Sequence, residues 1–176
     1  MSDEIQHECG VGLLRLRKKL PYYIQKYGSP WFGYQKMVLL LEKQHNRGQD
    51  GAGLACVGLN ARPGSAFYQL EKSCSSLSLA DLLERIGAQI EAGVKLNAEF
   101  SEAAQLTPAF PFCGEVYLGH LRYGTYGRRS LSACHPLVRD HSWRNHTLLL
   151  AGNFNLTNTT ALFEELVASG HHPRSS

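Results

Sequence analysis

The chain has 176 residues, 43% of them hydrophobic, and a formal net charge of +3. The length and composition suit one domain with a hydrophobic core, and the small net charge does not indicate a basic surface for nucleic acid. Its apolar runs are far shorter than the roughly 20 residues that span a membrane, and its start, MSDEIQHE, lacks the basic region and apolar centre of a signal peptide. Five cysteines without a CxxC pair favour a reducing compartment, so we expect a cytoplasmic protein with neither nucleic-acid nor membrane partners.

The hydrophobic pattern predicts strands alternating with helices, separated by glycine, proline and polar turns. In chain order it predicts a strand at 9–17, a surface loop at 21–31, a helix at 33–46, strands at 51–59 and 66–70, a helix from Ser78, a loop at 97–113, strands at 114–122 and 146–153, and a helix at about 160–169. Asp81 stands three residues after Ser78, close to a capping box, and Gly170 would close the last helix.

Three clusters of glycine and polar residues each follow an apolar element: QHNRGQDGAG (44–53), GHLRYGTYG (119–127) and AGNFNLTN (151–158). The ends of strands and helices are where a fold delivers functional side chains. Any one cluster by itself is as well explained as a connecting turn.

Known cofactor and metal signatures do not account for these clusters. The chain contains neither GxxxxGK[ST] nor GxGxxG, and Cys134-His135 and His171-His172 lack the spaced partners of a tetrahedral zinc site. We therefore expect no cofactor and no metal in this segment.

Together with the Cys9-Gly10 pair near the start, the clusters resemble the class II glutamine amidotransferase domain, a family of N-terminal-nucleophile hydrolases. Within that family the likeness is greatest to the glutaminase domains of amidophosphoribosyltransferases. The resemblance runs from Cys9 to about Val167, and the motifs stand in the family's order with similar spacing.

Each cluster matches one segment of the family. QHNRGQDGAG resembles its His-Arg-Gly-Gln-Asp segment with Asn46 inserted, and GHLRYGTYG resembles its His-x-Arg-Tyr-x-Thr segment. AGNFNLTN resembles its Asn-Gly-Asn-Leu-x-Asn segment with Phe154 in place of glycine.

The family's chemistry explains why a cysteine would stand near, but not at, the start of the chain. A free thiol with a pKa of about 8.5 is little ionised at pH 7, whereas an α-amino group with a pKa of about 8 is a usable base. That base exists only if Cys9 becomes the first residue. The resemblance therefore implies a propeptide-like segment, 1–8, that is cut between Glu8 and Cys9; the alternative for Cys9 is a buried structural cysteine.

The resemblance also implies the substrate contacts. Arg122 would bind the α-carboxylate of L-glutamine, which a guanidinium fork fits in shape and charge, and Thr125 would support the same end of the substrate. Arg47 and Asp50 would lie beside them, although Arg47 is nearly as well explained as an ordinary loop arginine.

Attack on the amide creates an oxyanion, for which the side-chain amide of Asn153 and the backbone N–H of Phe154 match the family's two donors. His120 and Tyr123 occupy motif positions, but we expect them to pack or brace rather than react. The other cysteines are expected to be small apolar residues: Cys56, Cys74, Cys113 and Cys134.

The sequence departs from the family pattern in two ways. If the position of Phe154 requires a positive φ, a phenylalanine there would cost roughly 1–3 kcal/mol of strain. The acidic residue with which the family binds the substrate's α-amino group would fall beyond Ser176. We therefore expect residues 9–176 to be an incomplete glutaminase domain.

The fold that the resemblance implies is α+β, a four-layer αββα sandwich. The implied function is glutamine amide hydrolysis through a cysteine thioester. The released ammonia would pass to a downstream phosphoribosyltransferase-like synthase domain that forms phosphoribosylamine in purine synthesis, in an enzyme that we expect to be a homo-oligomer. Two alternatives stay open: another N-terminal-nucleophile amidase or acylase, and a non-catalytic regulatory module that keeps its propeptide.

Overall fold

The computed structural model describes residues 8–96, 110–124, 130–154 and 157–171. The strands are β1 (Gly10–Arg15), β2 (Gly51–Val57), β3 (Tyr68–Ser73), β4 (Val116–Arg122), β5 (Leu137–Arg139) and β6 (Leu148–Leu150). The α-helices are α1 (Leu20–Tyr27), α2 (Phe32–Lys43), α3 (Ser78–Leu96) and α4 (Thr159–Ala168), and short 3-10 helices span His45–Arg47, Leu131–Ala133 and Arg144–His146.

The strands form a four-stranded antiparallel sheet in the order β1-β4-β2-β3 and a separate two-stranded antiparallel ribbon, β5-β6. This mixed arrangement of helices and antiparallel sheets confirms the α and β content predicted from the sequence. No helix in the described ranges is both long and apolar enough to cross a lipid bilayer.

The surface loop predicted over residues 21–31 is wrong, because most of it forms α1. Pro21 stands in the first turn, where its missing N–H costs nothing, and Gly28 closes the helix in the left-handed conformation with φ 69°. Leu20 and Tyr23, one turn apart, are buried in a small cluster beneath the helix. The proline and the glycine are therefore the caps of a short helix.

Other predicted elements also differ in detail from the structure. α3 begins at Ser78 as predicted, but no capping box forms: the Ser78 hydroxyl donates to the Gln49 carbonyl, and the N–H of Asp81 donates to the Leu77 carbonyl. The predicted strand at 146–153 shortens to β6, and the sequence pattern missed its partner β5. Residues 97–109 of the predicted loop lie outside the described residues.

The main core lies between the sheet and the helices α2 and α3, which cover one of its faces. Met37 and Leu41 of α2 are fully buried, and both approach Gly119 of β4 so closely that a Cβ there would contact their side chains at 2.9–3.1 Å. The fully buried residues of this core are Met37, Leu41, Ala52, Leu54, Leu82, Ile86, Phe112, Tyr117 and Leu121.

The opposite face of the sheet carries the polar residues of β4, because successive side chains of a strand point to opposite sides. His120 and Arg122 alternate with Gly119 and Leu121, and both are buried. On the neighbouring strand β2, Gly53 lies opposite His120 in the ladder. The face that could serve a chemical site is therefore the one away from α2 and α3.

We expect Gly33→Ala to destabilise the chain by about 1–3 kcal/mol, because a Cβ at Gly33 would come well under 3.0 Å from the Tyr117 ring. Tyr117 cannot retreat, since its hydroxyl donates to the Phe112 carbonyl at 3.1 Å and accepts the Gly114 N–H at 3.2 Å. The measurement is the urea midpoint followed by circular dichroism.

The matched control is Gly87→Ala in α3, where nothing lies within 4 Å of the added Cβ. Alanine should stabilise that helix by about 0.5–1 kcal/mol. A midpoint for Gly33→Ala equal to or above the parent would contradict the assigned packing of α2 on β4.

Candidate active site

Cys9 lies at the start of β1, beside the end of β4. The antiparallel ladder pairs Gly10 with Leu121, so Cys9 stands next to the residues that follow Leu121. Its Sγ accepts the backbone N–H of Tyr123 at 3.4 Å and lies 3.8 Å from the Tyr123 carbonyl. The side chain is half-buried, so this thiol, predicted to be the nucleophile, stays accessible at the edge of the sheet.

Arg122 is the last residue of β4 and is buried, with 7% of its surface exposed. It pairs with Gly51 across the ladder, and its carbonyl accepts the backbone N–H of Asp50 at 3.0 Å. The structure thus places the predicted carboxylate ligand directly before Tyr123, the residue that contacts the Cys9 thiol.

Asp50 holds the backbone that follows Arg122. Its carboxylate accepts the N–H of Gly124 at 2.9 Å, while its own N–H donates to the Arg122 carbonyl. These two bonds bracket Tyr123. The sequence placed Asp50 beside the substrate, and the structure places it against residues 122–124, whose backbone faces the thiol.

The inserted residue Asn46 lies in the exposed 3-10 helix His45–Arg47, and Arg47 is exposed there as well. The single turn takes up the insertion before Gly48, which packs against the backbone of Leu121 and Arg122 so closely that a Cβ would lie 2.5–2.6 Å away. Thr125, the second predicted carboxylate contact, lies outside the described residues.

The predicted oxyanion donors Asn153 and Phe154 follow β6 and are both exposed. Among the described non-glycine residues, only Phe112 has a positive φ, 51°. Phe154 therefore carries none of the backbone strain that a positive φ would impose. Its ring stacks on His135 with centroids 5.4 Å apart.

His135 joins this segment to the sheet. Its Nδ1 lies 3.1 Å from the Gly152 carbonyl and 3.4 Å from the Gly152 N–H, and its ring centroid is 4.6 Å from that of His120 on β4. The sequence spacing gave His135 no partners for a zinc site and predicted no other role for it. The signal for its position was the pair Gly51 and Gly53 within a strand, since glycine there marks a close approach of another backbone.

Burial sets the protonation of both histidines. It lowers the pKa of His120 to about 4, and the charges of His135 and Arg122 act in the same direction. Burial also lowers the pKa of His135, with Lys72 and Arg122 adding to the effect, while the Gly152 carbonyl opposes it. Both imidazoles are therefore neutral at pH 7.

Burial affects three of the other thiols. It raises the pKa of Cys113 to about 12 and raises the pKa values of Cys56 and Cys134 as well. These three thiols stay protonated at neutral pH, in keeping with their interpretation as small apolar residues. Within the described ranges, no group of three or more His, Cys, Asp or Glu side chains could hold a metal ion.

A cavity of about 570 Å³ lies away from this site, between the 3-10 helix His45–Arg47 and the start of α3. Its walls include Glu42, His45, Gln49 and Leu79, and neither Cys9 nor Arg122 lines it. The residues that could do chemistry are instead on the open face of the sheet.

Comparisons with known proteins confirm the resemblance. No family model matches the chain. It is 32% identical over 131 residues to the amidophosphoribosyltransferase of Lacticaseibacillus casei, an alignment that covers 74% of this chain and 52% of that protein. The chain thus spans about half the length of this curated relative.

The fold is similar to that of the glutamine phosphoribosylpyrophosphate amidotransferase from B. subtilis, solved in complex with ADP and GMP. The TM-score is 0.50 at 21% identity, and the match covers 96% of this chain and 26% of that one. This likeness establishes the mixed antiparallel fold and assigns no role to any residue.

Asp50→Ala should speed hydrogen exchange at the Gly124 amide roughly fivefold, the effect of losing a hydrogen bond worth about 1 kcal/mol. Asp50→Asn keeps an acceptor oxygen at the same position and should exchange within about twofold of the parent. Amide exchange by NMR measures both. Equal exchange in the two variants would show that the carboxylate does not hold Gly124.

Proposed function

We propose that this chain, a glutamine amidotransferase domain similar to amidophosphoribosyltransferase, hydrolyses the side-chain amide of L-glutamine through a thioester on Cys9. The observation that carries the proposal is the position of the thiol. Cys9 lies at an open sheet edge, against the backbone of Tyr123 and directly beside the buried Arg122. A nucleophile and a cation for the substrate carboxylate thus share one site.

Activation of the thiol depends on a free amine at Cys9. An amide nitrogen is not a base at neutral pH, so the Glu8–Cys9 bond must be cut before the α-amino group can take the thiol proton. Residues 1–8 are accordingly a propeptide in this proposal, and residues 9–176 are the glutaminase domain.

The reaction then proceeds in two halves. The α-amino group of Cys9 takes the proton of Sγ, the sulfur bonds to the amide carbon, and the carbonyl oxygen becomes an oxyanion that the Asn153 side-chain amide and the Phe154 N–H stabilise. The C–N bond breaks as the proton passes to the leaving nitrogen, which departs as ammonia. Water next adds to the thioester carbon, the C–S bond breaks, and glutamate leaves with the thiol restored.

Arg122 holds the α-carboxylate of glutamine in this scheme, with Thr125 at the same end. Arg122 suits the role because it is buried, where a charge-assisted bidentate pair is stronger than at an exposed site. Arg47 supports the site from the 3-10 helix that precedes Gly48. Asp50 supports it through the backbone of residues 122–124.

The wider protein is part of the same proposal. The domain is of the four-layer αββα type and is incomplete at its C-terminal end; the exposed side chains of Val11 and Leu13 on the open sheet face are compatible with a further layer. The ammonia goes to a downstream phosphoribosyltransferase-like synthase domain that forms phosphoribosylamine in purine synthesis, in a cytoplasmic homo-oligomer.

The first test compares the uncut chain with protein that begins at Cys9. Protein beginning at Cys9 should take up one equivalent of a glutamine-analogue electrophile on Cys9 and should hydrolyse glutamine faster than the uncut chain. The uncut chain should be inactive and label slowly, because its amide cannot accept the thiol proton. Intact mass and peptide mapping measure the label on both forms.

Cys9→Ser in the cut form is the matched control, and it should bind glutamine with turnover nearly abolished. Equal turnover by the cut and uncut forms would overturn the N-terminal-nucleophile mechanism. Labelling at Cys56, Cys74, Cys113 or Cys134 in place of Cys9 would also overturn it.

Two variants of the cut form should separate binding from chemistry. Arg122→Lys should raise KM for glutamine with a smaller effect on kcat, because lysine cannot reproduce a bidentate grip. Asn153→Ala should lower kcat by roughly 10²–10³ with little change in KM, the effect of removing one oxyanion donor. Steady-state ammonia release measures both, and a reversed pattern would contradict the two assignments.

A further inference from the structure

We infer that His135 is a positioning residue: it holds the segment 152–154, which carries the two proposed oxyanion donors, at a fixed place on the sheet face that bears Arg122. This inference rests on the proposed function for the role of Asn153 and Phe154. The contacts of His135 themselves are independent of that function.

The backbone of His135 is seated directly on β2. A Cβ at Gly53 would come well under 3.0 Å from the His135 carbonyl, and a Cβ at Gly51 would lie 2.5 Å from Cys134 Sγ. The Cys134 thiol lies 3.5 Å from the Ser73 carbonyl on β3. Because both glycines lack side chains, residues 134 and 135 lie flat on the strands, and His135 has little freedom to shift.

The side chain of His135 contacts the segment 152–154 at two points. Its Nδ1 lies within hydrogen-bond distance of the Gly152 carbonyl and N–H, at 3.1 and 3.4 Å. Its ring also stacks on Phe154 at 5.4 Å with an interplanar angle of 27°. One imidazole thus fixes the residues on either side of Asn153, whose side-chain amide is a proposed donor.

Beneath His135, the imidazole of His120 supplies the surface on which it rests. The two centroids are 4.6 Å apart, and His120 is only 1% exposed. Neither ring nitrogen of His120 has a hydrogen-bond partner among the described residues. Burial lowers the pKa of His120 to about 4, although the Gly152 backbone opposes this, so the ring against which His135 lies is neutral at pH 7.

The path from the sheet to the donors is therefore continuous. β4 carries His120 two residues before Arg122, the ring of His135 contacts that of His120 at an interplanar angle of 55°, and Gly152 bonds to His135. A displacement of about 1 Å at a reacting group can cost roughly 10²-fold in rate. Replacement of His135 should consequently lower kcat. It should leave KM nearly unchanged, because glutamine binding through Arg122 does not depend on the contacts between His135 and Gly152.

The test uses three variants of the protein that begins at Cys9. His135→Ala removes both contacts to the segment 152–154. His135→Asn keeps a polar atom close to the position of Nδ1, so it should restore the bond to Gly152. His171→Ala replaces an exposed histidine far along the chain and serves as the matched control.

His135→Ala should lower kcat about 10–100-fold with KM for glutamine within about twofold of the parent, and His135→Asn should recover most of kcat. The ¹⁵N–¹H resonance of Gly152 should move in His135→Ala and return towards the parent in His135→Asn. His171→Ala should match the parent in turnover and in that resonance.

Unchanged kcat in His135→Ala, or no recovery of either readout in His135→Asn, would overturn the inference. If only His135→Ala fails to fold, the comparison of His135→Asn with the parent decides the test. If the parent itself lacks turnover while the Gly152 resonance still responds to the two variants, the proposed function fails and the positioning contact stands.

Discussion

The antiparallel pairing of β1 with β4 is the constraint on which the rest of the site depends. The register that places Gly10 opposite Leu121 brings the first described residues of the chain beside Arg122 and Tyr123, more than a hundred residues later. A slip of one residue would turn every side chain of β1 to the other face and would separate the Cys9 thiol from the Tyr123 backbone. Packing of α2 on the same two strands fixes that register, because Met37 and Leu41 fit against glycines of β1 and β4.

The central sheet divides the molecule into a packing face and a chemical face. Helices α2 and α3 bury one face, and its side chains are almost all apolar. The other face carries His120 and Arg122, and Gly51 and Gly53 let residues 134–135 lie directly on it. Polar side chains buried on this face are surrounded by closely packed backbone, and such packing helps a site to hold reacting groups in a fixed geometry.

Burial distinguishes three cysteines from the other two. It favours the neutral thiol in Cys56, Cys113 and Cys134, whereas Cys9 and Cys74 are half-buried, and of these two only Cys9 lies against the Tyr123 backbone at the sheet edge. The same face keeps both histidines neutral, so neither competes with the α-amino group that the proposed mechanism uses as its base. In the proposed mechanism the proton acceptor is the α-amino group that a cut before Cys9 would create.

The sequence by itself determined the elements with strong periodicity, and it supplied the candidate site residues that stand in motifs. It located α2, α3 and the strands of the main sheet, and it named Cys9, Arg122 and Asp50, because local patterns and motif spacing depend on neighbouring residues alone. It misread α1 as a loop, since Pro21 and Gly28 cap a helix whose burial comes from distant residues. Only the tertiary structure decided that Asp50 holds the backbone of residues 122–124 and that His135 joins Gly152 to the sheet. Those contacts join segments far apart in the chain, and their geometry follows from strand register and from the space that two glycines leave open.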